Sequence, residues 1–187
     1  MRRFLIPALM ISLLLTGCGA SAGAEQKIEK QRETFAAADE LSFTADVTAD
    51  LGDEVFQCRL DCAAGADEVT VEVTEPELIA GIRAHLRDGE TELEYENVRL
   101  SVPGIGPEGL HPLSAVPLLC KALQAGHVIR AWTEKADGGL FAAEIFADEN
   151  YGLTLWFDKS TLTPVHAELS QDGAVIITCD ISNFQVR

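Results

Sequence analysis

The chain is poor in basic residues and has no long apolar run. It carries 14 lysines and arginines against 30 aspartates and glutamates, which gives a formal net charge of −16. Phosphate binding needs a basic surface, so this balance argues against nucleic acid as a partner. A membrane-spanning helix needs roughly 20 apolar residues, and the apolar runs of this sequence are shorter. The charge indicates a solvated anionic exterior, with a surface for a basic partner as the alternative.

Patterns typical of metal or redox chemistry are also lacking. The sequence has no Cys-x-x-Cys pair, which argues against a zinc or thiol redox centre. Gly104 to Gly109 formally matches the dinucleotide fingerprint Gly-x-Gly-x-x-Gly, but Pro112 and a loop intervene before the next helix. The histidines are scattered without His-x-x-x-His spacing: His85, His111, His127 and His166. We therefore predict a protein that is not an enzyme, without catalytic residues, metal ligands or a bound cofactor.

The first residues of the chain have the order of a secretory signal. Arg2 and Arg3 form a basic start, an apolar stretch from Phe4 to Leu15 follows, and Thr16-Gly17 supplies small residues before a cleavage site. This order predicts an exported protein. A plain secreted protein that is cut nearby is the alternative to membrane attachment.

The stretch Leu15-Thr16-Gly17-Cys18 resembles the lipobox of bacterial lipoproteins. The resemblance implies that Cys18 becomes the first mature residue and carries a covalent diacylglycerol and acyl lipid. Two or more acyl chains hold a protein stably on a membrane. We predict a lipoprotein signal peptide over 1–17, a lipidated tether over 18–23 and a folded domain over 24–187. The domain is expected at the extracytoplasmic face of the bacterial cell membrane.

Four cysteines follow Cys18, and in an exported chain they could form two disulfides. Cys58 and Cys62 lie four residues apart on one predicted strand, about 13 Å at the strand rise, which is too far for a bond between them. Cys179 shares their apolar phase, and free cysteine is often buried. We favour small core residues, with Cys120 the fourth, over a disulfide framework.

Alternation of apolar and polar residues predicts about eleven β-strands. Phe43 and Val47, for example, alternate with Thr44 and Asp46. Turn residues such as Asp88-Gly89 separate the strands. The predicted strands are, by number, 41–49, 56–62, 69–73, 82–86, 93–95, 98–102, 128–134, 140–146, 153–157, 164–169 and 174–184.

Two helices complete the domain. The first, over 24–39, is largely polar and contacts the domain through Ile28 and Phe35. The second, over 113–124, is apolar nearly all round, with Ser114 as its N-cap and Gly126 just beyond its end. The fold class that follows is mainly β: an antiparallel half-barrel of about eleven strands, with an N-terminal helix and one apolar helix packed on its concave face.

Trp156 lies on the opposite phase of its strand from Leu155 and Phe157. We expect its side chain to pack beneath the apolar helix or to line a cavity.

Several short segments occur in an order that belongs to a known family. They are, in chain order, Glu72 to Pro76 with Ala80-Gly81-Ile82, Leu93-Glu94-Tyr95, Leu155 to Lys159 with Pro164, and Ile181 to Phe184. Together they are similar to the LolA/LolB-like superfamily of lipoprotein carriers. The resemblance is closest to the small lipoproteins of spore-forming bacteria, among them the germination lipoprotein. It implies an eleven-stranded half-barrel around helices, with an apolar cavity for acyl chains.

Two functions from different classes follow from these observations. In the first, the membrane-anchored domain binds an acyl chain or another apolar ligand. In the second, it is an adaptor that binds and regulates a cell-envelope enzyme, such as a cell-wall amidase in spore germination, through its acidic face or an open sheet edge. The lipid anchor favours local binding over shuttling. The candidate lining of the apolar cavity is Phe43, Val47, Phe56, Leu60, Val71, Val73, Leu86, Val116, Leu119 and Leu123.

Overall fold

The computed structural model of the protein describes residues 19–50, 52–87, 90–102, 112–134, 139–147 and 149–187. Within these ranges lie two α-helices, α1 (Gly19–Ala36) and α2 (Pro112–Ala125), and a 3₁₀ turn over Glu77–Ile79. The strands are β1 (Glu40–Asp50), β2 (Val55–Gly65), β3 (Val69–Glu75), β4 (Arg83–Arg87), β5 (Glu90–Tyr95), β6 (Val98–Val102), β7 (His127–Thr133), β8 (Leu140–Phe146), β9 (Gly152–Asp158), β10 (Pro164–Gln171) and β11 (Ala174–Val186).

Some of the sequence predictions lie outside the described residues. These are the signal peptide, the lipid attachment site Cys18, the stretch from Gly104 to Gly109, His111, and the turn Asp88-Gly89.

The strands form one antiparallel sheet in the order β6-β5-β4-β3-β2-β1-β11-β10-β9-β8-β7. Most neighbours are consecutive in sequence, and the pairing of β1 with β11 joins the two halves. The two end strands, β6 and β7, come from the middle of the chain and leave the sheet open. The predicted fold class, an open antiparallel sheet of eleven strands with two helices, is therefore confirmed.

The alternation that predicts the strands also determines which face of the sheet is buried. In β1, Leu41, Phe43, Ala45, Val47 and Ala49 are buried, and the residues between them are half-buried or exposed. This follows because successive side chains of a strand point to opposite faces. We call the face that carries these five residues the inner face.

Both helices pack on the inner face. Helix α2 packs mainly on β1, β2 and β3, whereas α1 packs on β7, on β8 and on α2. Ile28 and Phe35 of α1 are fully buried, as predicted, and the ring of Phe35 meets that of Phe184 edge-on at 5.3 Å. Arg32 is also buried, and its Nη1 donates a hydrogen bond to the Ala122 carbonyl at 3.3 Å. This contact joins the two helices.

Helix α1 begins earlier than predicted. Residues 19–23 were expected to form a small, flexible tether, but α1 starts at Gly19. The physical reason lies in Ala20, Ala22 and Ala24, because alanine is the best helix former and offsets the cost of Gly19 and Gly23.

Helix α2 ends where the sequence predicts, but it begins before the predicted cap. It starts at Pro112, so Ser114 lies inside the helix rather than at its N-cap, and Pro117 is also inside. Gly126 follows the last turn, with its N–H directed to the carbonyls of Lys121 and Ala122. A Cβ at Gly126 would lie 2.7 Å from the Ala122 oxygen, so only glycine fits there.

The four described cysteines are free thiols, which agrees with the interpretation as core residues. Cys62, Cys120 and Cys179 are buried, whereas Cys58 is half-buried. Burial raises the pKa of Cys120 and of Cys179 to about 12 and holds the pKa of Cys62 well above its usual range. These thiols are therefore neutral and poorly nucleophilic at physiological pH.

Candidate ligand site at the open end of the inner face

The helices leave one end of the inner face uncovered. Among the described elements, neither α1 nor α2 packs on β4, β5 or β6 to the extent that it packs on the other inner strands. Yet these three strands continue the same rows, which are apolar apart from Thr91, a buried residue on the inner face of β5. The end of the sheet from β4 to β6 is therefore a face of core composition without a helix over it.

Strand register shows how the rows continue. One row runs from Phe43 through Cys62, Val71 and Ala84 to Leu93 and Leu100. The first four of these side chains are buried, Leu93 is half-buried, and Leu100 is exposed. Burial therefore decreases along a row whose composition stays apolar.

Three apolar side chains of β5 and β6 form the exposed part of this face. Tyr95, Val98 and Leu100 share the inner phase and are 45%, 69% and 62% exposed. Tyr95 pairs directly with Val98, and Leu93 pairs with Leu100. Cross-strand partners have Cβ atoms about 5 Å apart, so these side chains form one continuous apolar surface. We call Leu93, Tyr95, Val98 and Leu100 the open-end surface.

The 3₁₀ turn forms a wall beside the open-end surface. Gly81, with φ of +87°, closes the turn, and its N–H donates to the Val73 carbonyl at 2.8 Å. A Cβ on Gly81 would lie 3.9 Å from the Tyr95 ring, so the ring lies against this turn. Leu78 and Ile79 of the same turn are exposed apolar residues.

Ion pairs on the outer face hold this end of the sheet together. Arg83 pairs with Glu72 at 2.8 Å, and Arg99 pairs with both Glu92, at 3.1 Å, and Glu94, at 2.9 Å. A single exposed ion pair contributes about 0–1 kcal/mol, but these pairs cross successive strands. They support strands that no described helix covers.

Glu68 extends the same network. It accepts hydrogen bonds from Arg87 at 2.9 Å and contacts His85 Nδ1 at 3.0 Å. The bonds from Arg87 and then His85 hold the pKa of the Glu68 carboxyl below its usual value. At this end of the sheet the outer face is thus charged and the inner face apolar, so an apolar ligand that binds here is expected on the inner face.

The hairpin between β5 and β6 fixes this register. Glu96 and Asn97 have φ of 47° and 67°, and two positive φ values in a two-residue connection are typical of a type I′ turn. In such a hairpin Tyr95 and Val98 exchange backbone hydrogen bonds. Along the two strands, hydrogen-bonded pairs then alternate with pairs that share no backbone hydrogen bond. The backbone N–H and C=O groups of Arg99 and Ser101 consequently point away from β5, along the free edge of the sheet.

Most of the predicted cavity residues belong to the closed core. Eight are at most 3% exposed and lie in one hydrophobic cluster: Phe43, Val47, Leu60, Val71, Val73, Val116, Leu119 and Leu123. Leu86 is half-buried and borders the open end. Phe56 is 47% exposed and lies on the part of β2 before Arg59, which pairs with β1 but not with β3. The structure therefore places Phe56 apart from the other candidates.

Sequence reasoning did not select Tyr95, Val98 and Leu100 as site residues. Their alternation with Glu94, Arg99 and Ser101 does predict the inner phase. Which strands a helix covers is a tertiary property, so the alternation gave no sign that these positions stay exposed.

Two clefts among the described residues lie elsewhere, along α1. The larger, of about 720 Å³, lies between α1 and the start of β7, and Glu25, Glu29 and Glu33 line it. The smaller, of about 550 Å³, lies between the end of α1 and the end of β11. Charged side chains, among them Lys30 and Glu33, line both clefts, and burial of charges beside a hydrocarbon is unfavourable, so neither cleft suits an acyl chain.

The position expected for Trp156 is wrong. Trp156 lies on the outer face, where it pairs with His166, and the two rings meet edge-on at 5.1 Å. It therefore neither packs beneath α2 nor lines an inner cavity. His85 and His166 lie on the outer face, as their polar phase predicts, and both are half-buried within ion pairs.

Two other features are absent from the residues that the structure describes. In these ranges no helix is long and apolar enough to span a bilayer. The same part of the chain contains no group of three or more His, Cys, Asp or Glu side chains placed to hold a metal ion.

Comparisons with known proteins concern the fold. No family model matches the chain, and no curated protein matches it. Among solved structures, a DUF1329 family protein from Desulfovibrio piger is similar over 90% of this chain and 94% of that chain, with 11% sequence identity and a TM-score of 0.50. At that identity the likeness shows a shared fold alone.

Two further solved structures are similar at lower TM-scores. The LolA superfamily protein NE2245 from Nitrosomonas europaea matches 91% of this chain and 94% of its own, with 12% identity and a TM-score of 0.49. One chain of the solved complex between the CwlD amidase and the GerS lipoprotein from Clostridioides difficile matches 92% of this chain over 99% of its own length, with 15% identity and a TM-score of 0.43.

Proposed function

We propose that the protein is a membrane-anchored lipoprotein that binds an acyl chain at the open-end surface. The observation that carries the proposal is the exposure of Tyr95, Val98 and Leu100 on a face that is otherwise a buried core. Contiguous exposed apolar area on a soluble domain marks a binding site more often than scattered single residues do. A lipid on Cys18 would hold the domain at the extracytoplasmic face of the membrane, where acyl chains are at hand.

The energy available is sufficient for useful affinity. Each methylene removed from water contributes about 0.8 kcal/mol, so burying ten of them contributes roughly 8 kcal/mol. This corresponds to a Kd of about 1 μM before the cost of ordering the chain. A longer acyl chain that lies along β4 to β6 buries more methylenes and so offsets more of this cost.

The proposal is tested by native mass spectrometry of a Cys18→Ser variant, which lacks its own lipid anchor. We expect the variant, incubated with palmitate and desalted, to carry one palmitate that is lost when the protein is unfolded in guanidinium. We expect this binding because the apolar rows of the inner face continue to Leu100 without a described helix over them. Protein that remains free of lipid after incubation would contradict the proposal.

The free edge of β6 favours a second candidate, an adaptor for a cell-envelope enzyme such as an amidase. β6 is an end strand, and its sequence Val98-Arg99-Leu100-Ser101-Val102 has no lysine or proline. Charged side chains, above all lysine, together with proline and bulges, are the usual means of blocking an edge strand against pairing with another chain. The one charged residue of β6, Arg99, is engaged in ion pairs with Glu92 and Glu94 of β5. An edge without lysine and proline is suited to receive a strand from a partner.

The adaptor proposal is tested by replacing Ser101. Ser101→Pro removes an outward N–H and should abolish capture of a purified partner amidase, whereas Ser101→Ala keeps the N–H and should bind like the unmodified protein. Binding is measured by surface plasmon resonance at low and at high salt. If the partner pairs with β6 as a strand, the amount captured should depend little on salt. Equal capture by the proline variant, or loss of capture at high salt alone, would exclude binding at the sheet edge and indicate binding through the acidic face.

A further inference from the structure

The two tryptophans of the chain lie in one row on the outer face of the sheet. Trp132 on β7 pairs with Ala142 on β8, and Ala142 pairs in turn with Trp156 on β9. The chain has no other tryptophan. This row lies on the side of the sheet away from both helices, so it is separate from the open-end surface.

Ala142 shows how the indoles are arranged. It is fully buried although its side chain points to the outer face. Its direct cross-strand neighbours are Trp132 and Trp156, so the two indoles lean over the small residue between them. Both indoles are themselves half-buried, which leaves part of each ring in contact with solvent. The result is a low aromatic surface with a shallow centre, which we call the tryptophan platform.

Polar side chains border the platform on two sides. Arg130 lies over the Trp132 ring at 5.3 Å and pairs with Glu144. Its side chain is 71% exposed, and a cation–π contact at an exposed site contributes only about 0.5–1 kcal/mol, so a ligand that stacks on Trp132 displaces the guanidinium from the ring. On the other side, His166 contacts Trp156, and its Nδ1 lies 2.7 Å from Asp180. A carboxylate has about four acceptor positions and a guanidinium five donors, so these pairs leave hydrogen-bonding capacity directed to solvent.

The charged side chains around the tryptophan platform determine which class of ligand it can bind. Glu144, Glu168 and Asp180 surround the platform, and the net charge of the chain is −16, so phosphates and anionic lipid surfaces are repelled. Neutral hydroxyl groups, in contrast, donate to carboxylates and accept from arginine. A pyranose ring combines such hydroxyls with an apolar C–H face that stacks on an indole.

The distance between the two indoles determines which glycosidic linkage fits the platform. Trp132 and Trp156 are separated by two strand spacings, about 9.5 Å. A β-1,4-linked pyranose chain is extended and repeats every second sugar over a similar length, so alternate rings meet the two indoles. An α-1,4-linked chain curves and does not present its rings in one line. We propose that the tryptophan platform binds an extended β-1,4-linked glycan, with one sugar face on each indole.

Because both tryptophans belong to the platform, the tryptophan fluorescence of the protein, excited selectively over tyrosine, reports on it alone. We expect the emission of the protein to change on titration with the β-1,4-linked hexamer of N-acetylglucosamine and to reach saturation. Maltohexaose, which is α-1,4-linked, should leave the emission unchanged. No change with the N-acetylglucosamine hexamer, or an equal response to maltohexaose, would overturn the proposal.

Three variants assign the binding to the platform. Trp132→Leu and Trp156→Leu keep an apolar cover over Ala142 but remove the indole, so each should weaken binding about tenfold or more in titration calorimetry. Phe146→Leu removes a half-exposed aromatic ring of β8 from outside the platform and should leave the affinity unchanged. Circular dichroism confirms that each variant is folded. Unchanged affinity in both folded tryptophan variants would overturn the assignment.

Discussion

Replacement of Phe35 by alanine should lower the free energy of unfolding by about 3–5 kcal/mol, the usual cost of removing a buried phenylalanine side chain. Phe35 is fully buried in α1, and its ring meets Phe184, which in turn stacks on Phe43 at 5.8 Å. The substitution thus leaves a cavity where α1, β11 and β1 meet. Guanidinium denaturation followed by circular dichroism measures the change.

Leu78→Ala is the matched control for this substitution. Leu78 is 90% exposed on the 3₁₀ turn, so its truncation should alter the free energy of unfolding by no more than about 0.5 kcal/mol. A loss below about 1 kcal/mol for Phe35→Ala would show that α1 is not anchored through this ring.

Replacement of Leu100 by serine should weaken the binding of a fluorescent fatty acid about 10- to 100-fold. Full burial of a leucine side chain contributes about 1.5–3 kcal/mol, and each 1.4 kcal/mol corresponds to a factor of ten in Kd. Because Leu100 is largely exposed without ligand, the free energy of unfolding should stay nearly constant. Fluorescence titration and guanidinium denaturation measure the two quantities.

Ile129→Ser supplies the control for the loss of an exposed apolar side chain. Ile129 lies on β7, at the other end of the sheet, and is also largely exposed. We expect its substitution to leave the fatty acid affinity unchanged. Equal weakening by both substitutions would mean that the probe adheres to apolar surface in general.

The strands and the buried rows could be predicted from the sequence because they depend on local alternation. Phe43, Val47 and Leu60 are assigned to the inner face by period two alone, and the structure buries all three. The burial of α2 follows in the same way from its apolar circumference. These properties need no knowledge of which elements meet.

The functional surfaces could not be predicted, because they depend on what covers each strand. Leu100 and Leu60 have the same phase and the same chemistry, yet α2 packs on β2 and not on β6. The position of Trp156 failed for a related reason: its phase correctly excluded the core rows, but nothing in the local pattern showed that Trp132 would lie two strands away in the same row.

The central claim, that an acyl chain binds at the open-end surface, is tested most directly by locating the chain. Stearate with a nitroxide near its methyl end broadens the NMR signals of nearby nuclei in ¹⁵N-labelled protein. The account predicts the strongest broadening at the backbone amides of Tyr95, Val98 and Leu100. Strongest broadening along the cleft between α1 and β7, at Glu29 and Val128, or uniform weak broadening, would contradict it.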